Sequence, residues 1–171
     1  ALGWKHGPFD VPDNIRAAWR KIGARGGGAR EAWAGRLKRS EHRDAFAAAI
    51  TGANVDAAIA ALGLHAAKMA AEKPALATRA SSGAAIDAMF DACPELLGGS
   101  ADLTGSNNTL AKGAKDFTPE QRGGRYVRYG IREHGMAAAM NGMALHGGVI
   151  PYGGTFLTFA DYSRPAIRLA A

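Results

Sequence analysis

From about residue 78 onward the sequence alternates helical and strand patterns, and no other feature narrows the possible folds as much. Residues 78–92 place Ala85, Ile86, Met89 and Phe90 on one apolar helical face. Pro94 ends that helix, and Leu96 to Ser100 reads as a short buried strand. A polar turn region from Asp102 to Asn108 follows, then a loop to about Gly124. Tyr126 to Tyr129 is the next strand and Glu133 to Leu145 a helix packed with Ala, Gly and Met. Val149 to Tyr152 and Leu157 to Leu169 repeat the strand and helix pattern. Such alternation favours an α/β fold with a parallel sheet. Sites in these sheets collect at the C-terminal ends of the strands. Three ends carry reactive residue types: Gly99-Ser100-Ala101-Asp102, Gly130-Ile131-Arg132-Glu133 and Gly153-Gly154-Thr155-Phe156.

The first part of the chain is of another kind. Val11-Pro12-Asp13 opens a helix, with Pro suited to the first turn and Asp to the dipole. Ile15, Ala18, Trp19 and Ile22 recur at helical spacing, and Gly26-Gly27-Gly28 reads as a flexible turn. The triplet lacks the strand–GxGxxG–helix setting of a nucleotide site. Helical patterns at about 30–50 and 54–72 follow, the latter ended by Lys73-Pro74. The net charge of +6 belongs here. Residues 1–43 hold ten Lys and Arg against four acids, whereas the remainder is neutral. Aromatic side chains placed for base stacking are not evident, so the basic segment reads as a solvated helical face and not as a nucleic-acid surface.

The single Cys93 cannot form an internal disulfide, no apolar run reaches the ~18 residues of a membrane span, and no signal-peptide pattern opens the chain. A cytoplasmic protein is expected. The chain opens on Ala1 and closes on an amphipathic stretch without a stop signal, so a piece of something longer is expected.

The three strand ends belong to long segments: Gly98 to Asn107, Gly124 to Met136, and Pro151 to Tyr162. All three resemble the transketolase family, in family order and at nearly every position. Upstream, Leu2-Gly3-Trp4-Lys5 followed by Pro8-Phe9 looks like the end of the family's first domain. The resemblance divides the chain at 74/75. Residues 1–74 would be the tail of the diphosphate-binding domain plus a helical connector. Residues 75–171 would be the front of an incomplete α/β, parallel-sheet pyrimidine-binding domain.

The resemblance implies thiamine diphosphate and transfer of a two-carbon ketol unit between sugar phosphates. The family's glutamate at the cofactor's pyrimidine nitrogen falls on Glu133. A carboxyl group used this way should be poorly solvated, although a helix N-terminus favours its charged form. Gly135, Ala137, Ala138 and Ala139 leave little bulk beside it. Phe156, Phe159 and Tyr162 repeat every three residues, as a core stripe would. In the family they line the aminopyrimidine pocket, with Phe159 stacking on the ring. Asp102 matches a residue near the cofactor. Arg79 and Ser106 match the substrate-phosphate pair, Arg offering bidentate donors. His134 and His146 match no defined role.

No His/Cys/Asp cluster has metal-ligand spacing, and the Gly-Asp-Gly motif that the resemblance implies should hold the diphosphate through Mg2+ or another divalent ion does not occur. The chain alone is therefore expected to be inactive, and the intact enzyme to be a homodimer with its site across the interface. Two alternatives stand beside this reading: a ketol transferase like dihydroxyacetone synthase, and a non-catalytic basic module on a degraded enzyme fold.

Overall fold

The computed structural model describes residues 3–170. Leu2, at the head of the Leu2-Gly3-Trp4-Lys5 segment, and Ala171, at the end of the last helical pattern, lie outside them. The chain divides into two compact units, residues 1–44 and 45–171.

In the first unit Pro12 caps helix α1 (Asp13–Gly23), with Asp13 in its first turn and Arg20 and Lys21 in its last. Those charges complement the helix dipole at both ends. The glycine triplet is not the flexible turn expected from sequence. Gly26 closes a 3-10 turn (Ala24–Gly26), and Gly27 and Gly28 open helix α2 (Gly27–Arg39). The cap residues on either side all hold right-handed φ and ψ, so the helical path tightens here without reversing. None of the described residues of this unit is buried.

The helix expected over 30–50 is two helices, α2 and α3 (Arg43–Thr51). Ser40 leaves the helical region with ψ 137°, and its Oγ accepts a hydrogen bond from the His42 N–H at 3.1 Å. This local side-chain bond offers the backbone an alternative to the helix. Helix α4 (Val55–Glu72) ends as expected: Lys73 turns left-handed at φ 48°, its N–H still bonded to the Met69 carbonyl, and Pro74 bars continuation.

In the second unit α4 packs against α5 (Thr78–Phe90), and the chain then enters strand β1 (Leu96–Ser100). A short helix α6 (Thr104–Asn107) occupies the region expected to be a polar turn. Strand β2 (Tyr126–Arg128), helix α7 (Glu133–His146), strand β3 (Ile150–Pro151) and helix α8 (Ala160–Ala170) complete the fold, α7 lying on α8. A 3-10 turn (Leu157–Phe159) leads into α8. The sheet is parallel throughout, in the order β2-β1-β3. Gly98 faces Tyr126 in the register, and Leu96 faces Ile150. All three strands therefore end on the same edge.

Phe90, Cys93, Leu96, Ala58 and Ala111 form the core under this sheet, with Ile86, Met89 and Tyr152 packed against them. Arg125, just before β2, closes the C-terminal end of α5. Its guanidinium lies 3.4 Å from the Phe90 ring centre and donates to the carbonyls of Phe90 and Cys93 at 2.9 Å each. The cation thus satisfies the carbonyl of Phe90 at the end of α5 and adds a second bond to that of Cys93, which also accepts the Leu96 N–H at 3.1 Å.

Gly98 and Gly99 explain why the central strand carries so little side chain. A Cβ on Gly98 would overlap the Tyr152 ring, and one on Gly99 would overlap the Tyr129 ring and crowd the Val127 carbonyl. Two aromatic rings therefore lie directly on the backbone of β1.

Candidate functional site

A chain of buried hydrogen bonds ties the strand ends together. The hydroxyls of Tyr126 and Thr109 are 2.7 Å apart, and those of Tyr126 and Thr104 are 2.8 Å apart. Thr109 donates its single proton to Asn107 Oδ1 at 2.8 Å. Tyr126 must therefore donate to Thr109, and Thr104 to Tyr126, because each hydroxyl has one proton to give. Asn107 Nδ2 in turn donates to Ser100 Oγ at 3.0 Å, and Ser100 donates to the Gly154 carbonyl at 3.0 Å. The Leu103 N–H also donates to Ser100 Oγ, at 3.1 Å. Tyr126, Ser100 and Thr109 are all buried, so the chain holds α6, β1 and the end of β3 in a low-dielectric setting.

Around this scaffold the expected site residues fall into two cavities. The first, of about 570 Å³, is lined by Asp102, Arg132, Glu133, His134, Phe159 and Tyr162 among others. Glu133 is the first residue of α7 and only 7% exposed. Its Oε1 accepts a bond from the Thr155 hydroxyl at 3.4 Å. Asp102 sits where β1 gives way to α6, in the left-handed region at φ 63°. That conformation is uncommon for a residue with a side chain, though Asp tolerates it better than most. Of the small residues noted beside Glu133, Gly135 lines this cavity, while Ala137 is buried and Ala138 and Ala139 are exposed.

The second cavity, of about 830 Å³, contains Arg79 and Ser106 on opposite elements, α5 and α6. Ser82, Asn107, Thr109 and Thr155 add polar groups to its wall. The Arg79 guanidinium with the Ser82 and Ser106 hydroxyls is a donor set suited to a phosphate dianion, the Thr109 and Thr155 protons being given to Asn107 and Glu133.

The aromatic stripe joins the two. Phe156 lines the larger cavity, and Phe159 and Tyr162 the smaller. Successive ring centres are 6.2 and 6.3 Å apart, with interplanar angles of 16° and 22°. The 3-10 turn accounts for the first pair, since at three residues per turn positions i and i+3 eclipse, while Tyr162 follows in the first turn of α8. The rings do not form a core stripe, since Phe156 and Tyr162 are exposed.

Thr155, Asn107 and Arg132 were not singled out in the sequence, although all three lie inside the quoted segments. Their signal is hydrogen-bonding capacity beside a strand end, which spacing alone does not distinguish from a turn. His134 lines the Glu133 cavity, whereas His146 is exposed, with Nδ1 3.0 Å from the Gly147 carbonyl. Among the described residues no group of three or more His, Cys, Asp or Glu could hold a metal ion, and no single helix is long and apolar enough to cross a membrane.

Strand order, parallel pairing and two cavities on the carboxyl edge define an α/β domain that presents its candidate site at the strand ends. Residues 74–171, more than half of the chain, match the family model described as "Transketolase, pyrimidine binding domain", and the chain belongs to that family. It is 52% identical over 170 residues to a transketolase of Cereibacter sphaeroides, covering 99% of this chain and 26% of that protein. With a transketolase of Sinorhizobium medicae the identity is 50% over 174 residues, covering 99% and 24%. A crystal structure of a transketolase mutant from Pichia stipitis superposes with a TM-score of 0.73 at 34% identity, covering 96% of this chain and 25% of that one. The transketolase of Campylobacter jejuni superposes with a TM-score of 0.77 at 28% identity, covering 97% and 24%. The chain thus spans about a quarter of the length of these relatives.

Proposed function

We propose that this chain supplies the pyrimidine side of a thiamine-diphosphate site in a transketolase, which moves a two-carbon ketol unit from a ketose phosphate to an aldose phosphate. The observation that carries the reading is Glu133: a buried carboxyl group facing the same cavity as the rings of Phe159 and Tyr162. A flat heterocycle with a basic ring nitrogen needs such a donor set, one carboxyl for the nitrogen and aromatic faces for the ring. When bound, the cofactor supplies a nucleophilic carbon that takes up and passes on the two-carbon unit.

In this reading Glu133 holds a proton at the ring nitrogen, and its burial keeps water from competing for it. Phe159, with Phe156 and Tyr162 stacked along the same row, provides the face on which the pyrimidine lies. Asp102 stands on the cavity wall beside it. Arg79 and Ser106 receive the substrate phosphate in the neighbouring cavity, and Arg79 provides the fixed charge. The diphosphate and its Mg2+ are assigned to residues other than these, since the chain has no Gly-Asp-Gly. The same reading assigns residues 1–74 to the tail of a diphosphate-binding domain and a connector, and 75–171 to the pyrimidine-binding domain. It makes the whole enzyme a cytoplasmic homodimer and this chain alone inactive.

The test is Glu133→Gln in a full-length transketolase carrying this sequence. Turnover should fall about a hundredfold or more, with cofactor affinity changed only a few-fold. Near-normal turnover in that variant would remove Glu133 from the role.

A further inference from the structure

The two cavities meet at one side chain. Thr155 lines the larger cavity, yet its hydroxyl donates to Oε1 of Glu133, which lines the smaller. We propose that Thr155 is a positioning residue for Glu133, fixing one carboxylate oxygen so that the other is presented to the smaller cavity. The effect on catalysis rests on the function proposed above; the geometry of the pair does not.

Three observations support the assignment. First, the Thr155 hydroxyl is the only side-chain partner of the Glu133 carboxyl group among the described residues, and no ion pair reaches it. Arg132, the neighbouring cation on the same cavity, donates instead to the Tyr129 carbonyl at 2.8 Å. Second, no buried side-chain oxygen among the described residues lacks a partner, so the free Oε2 of Glu133 is not sealed off. It remains available to a group in the cavity. Third, Thr155 is itself held. The carbonyl of the preceding residue, Gly154, accepts from Ser100 Oγ at 3.0 Å and from the Ala101 N–H at 3.2 Å, and the Gly154 N–H donates to the Gly99 carbonyl at 3.0 Å. Branching at Cβ leaves a threonine few χ1 choices. Glu has three rotatable bonds and loses more freedom when ordered. A stiff donor on an anchored backbone therefore decides where a flexible acceptor points. The 3.4 Å separation is that of a loose bond, the kind that tightens when a ligand closes a site.

The test needs no cofactor. In the cofactor-free full-length enzyme carrying this sequence, labelled with 13C at glutamate carboxyl groups, the Glu133 resonance is identified by its loss in Glu133→Gln. Thr155→Val keeps the shape but removes the hydroxyl, and should shift that resonance away from its parent position, since the carboxyl group stays buried but loses its side-chain donor. Thr155→Ser keeps the hydroxyl and should leave it in place. In the full-length enzyme Thr155→Val should lower kcat about tenfold with little change in KM for sugar phosphate, and serine should restore it to within about twofold. An unmoved resonance in Thr155→Val, or failure of serine to restore the parent position, overturns the proposal. The two readings fail separately. If the resonance moves but Glu133→Gln stays active, the positioning stands and the cofactor role of Glu133 falls; if Glu133→Gln is inactive but the resonance does not move, the reverse holds.

Discussion

Tyr126 donates its phenolic proton to the Thr109 hydroxyl across 2.7 Å, a direction imposed by Thr109 having already given its own proton to Asn107. The pair sits at the centre of a one-way series that runs from Thr104 to the Gly154 carbonyl. Each hydroxyl between the two ends gives its one proton to the next member, so removing an interior hydroxyl leaves a neighbour unmatched.

Removing the Tyr126 hydroxyl checks this directly. Tyr126 is fully buried, and Tyr126→Phe leaves Thr104 without its acceptor and Thr109 without its donor. A loss of about 1–3 kcal/mol is expected, measured as a lower urea midpoint at unchanged m-value. A midpoint equal to the parent would show that the hydroxyl is not engaged as described.

Much of this architecture was legible in the residues themselves. The strand at Leu96–Ser100 and the helix after Pro74 were read from their apolar runs, periods and flanking prolines, although α5 stops at Phe90 and not at residue 92. The break at Ser40 was not legible, because a serine hydroxyl bonded two residues on looks, as a letter, like a serine on a helix surface. The glycine triplet misled for a related reason: glycine permits a left-handed turn but does not require one, and here the neighbouring turns kept it right-handed. For the site, the motifs named Glu133, Arg79 and Ser106, but not the partition into two cavities. That partition depends on side chains such as Thr155 and Phe156, whose placement follows from sheet register and 3-10 geometry, not from spacing.

Alkaline stability should report the tyrosines that cover the sheet. Burial, more than any neighbouring charge, pushes the Tyr152 phenol up to about 12, and burial also raises Tyr129. Below pH 10 both forms of the chain keep the Tyr152 proton and the folded state has its full advantage. Between about pH 10 and 12 the unfolded chain releases the proton and the folded one does not, so stability falls as pH rises. The Cys93 thiol, raised first by burial and then by Glu95, makes the decline begin lower, near pH 9. Urea midpoints measured across pH 8–12 should show this fall. Tyr152→Phe, which also gives up the 2.7 Å bond to the Thr109 carbonyl, should be less stable at pH 8 yet decline less steeply. An equal slope in parent and variant would contradict it.

Packing against β1 is tested by Gly98→Ala. The added methyl has no room beside the Tyr152 ring, which is itself anchored through its hydroxyl to Thr109. Destabilisation of about 2 kcal/mol or more is expected, read from thermal unfolding. In the double variant Gly98→Ala, Tyr152→Leu, much of the added loss should vanish, because the clash needs the ring. A double variant whose losses simply add would argue against contact between the two positions.

The bare backbone of β1 also bears on how this sequence can change over time. Every amino-acid-changing single-base substitution in a glycine codon introduces a side chain. At Gly98 and Gly99 that side chain meets a ring at once, on one residue Tyr152 and on the next Tyr129. At Gly99 the Val127 carbonyl bars a side chain even when Tyr129 has changed. Drift at Gly98 is open only after Tyr152 has changed, which makes the order of substitutions, and not merely their identity, a property of this strand.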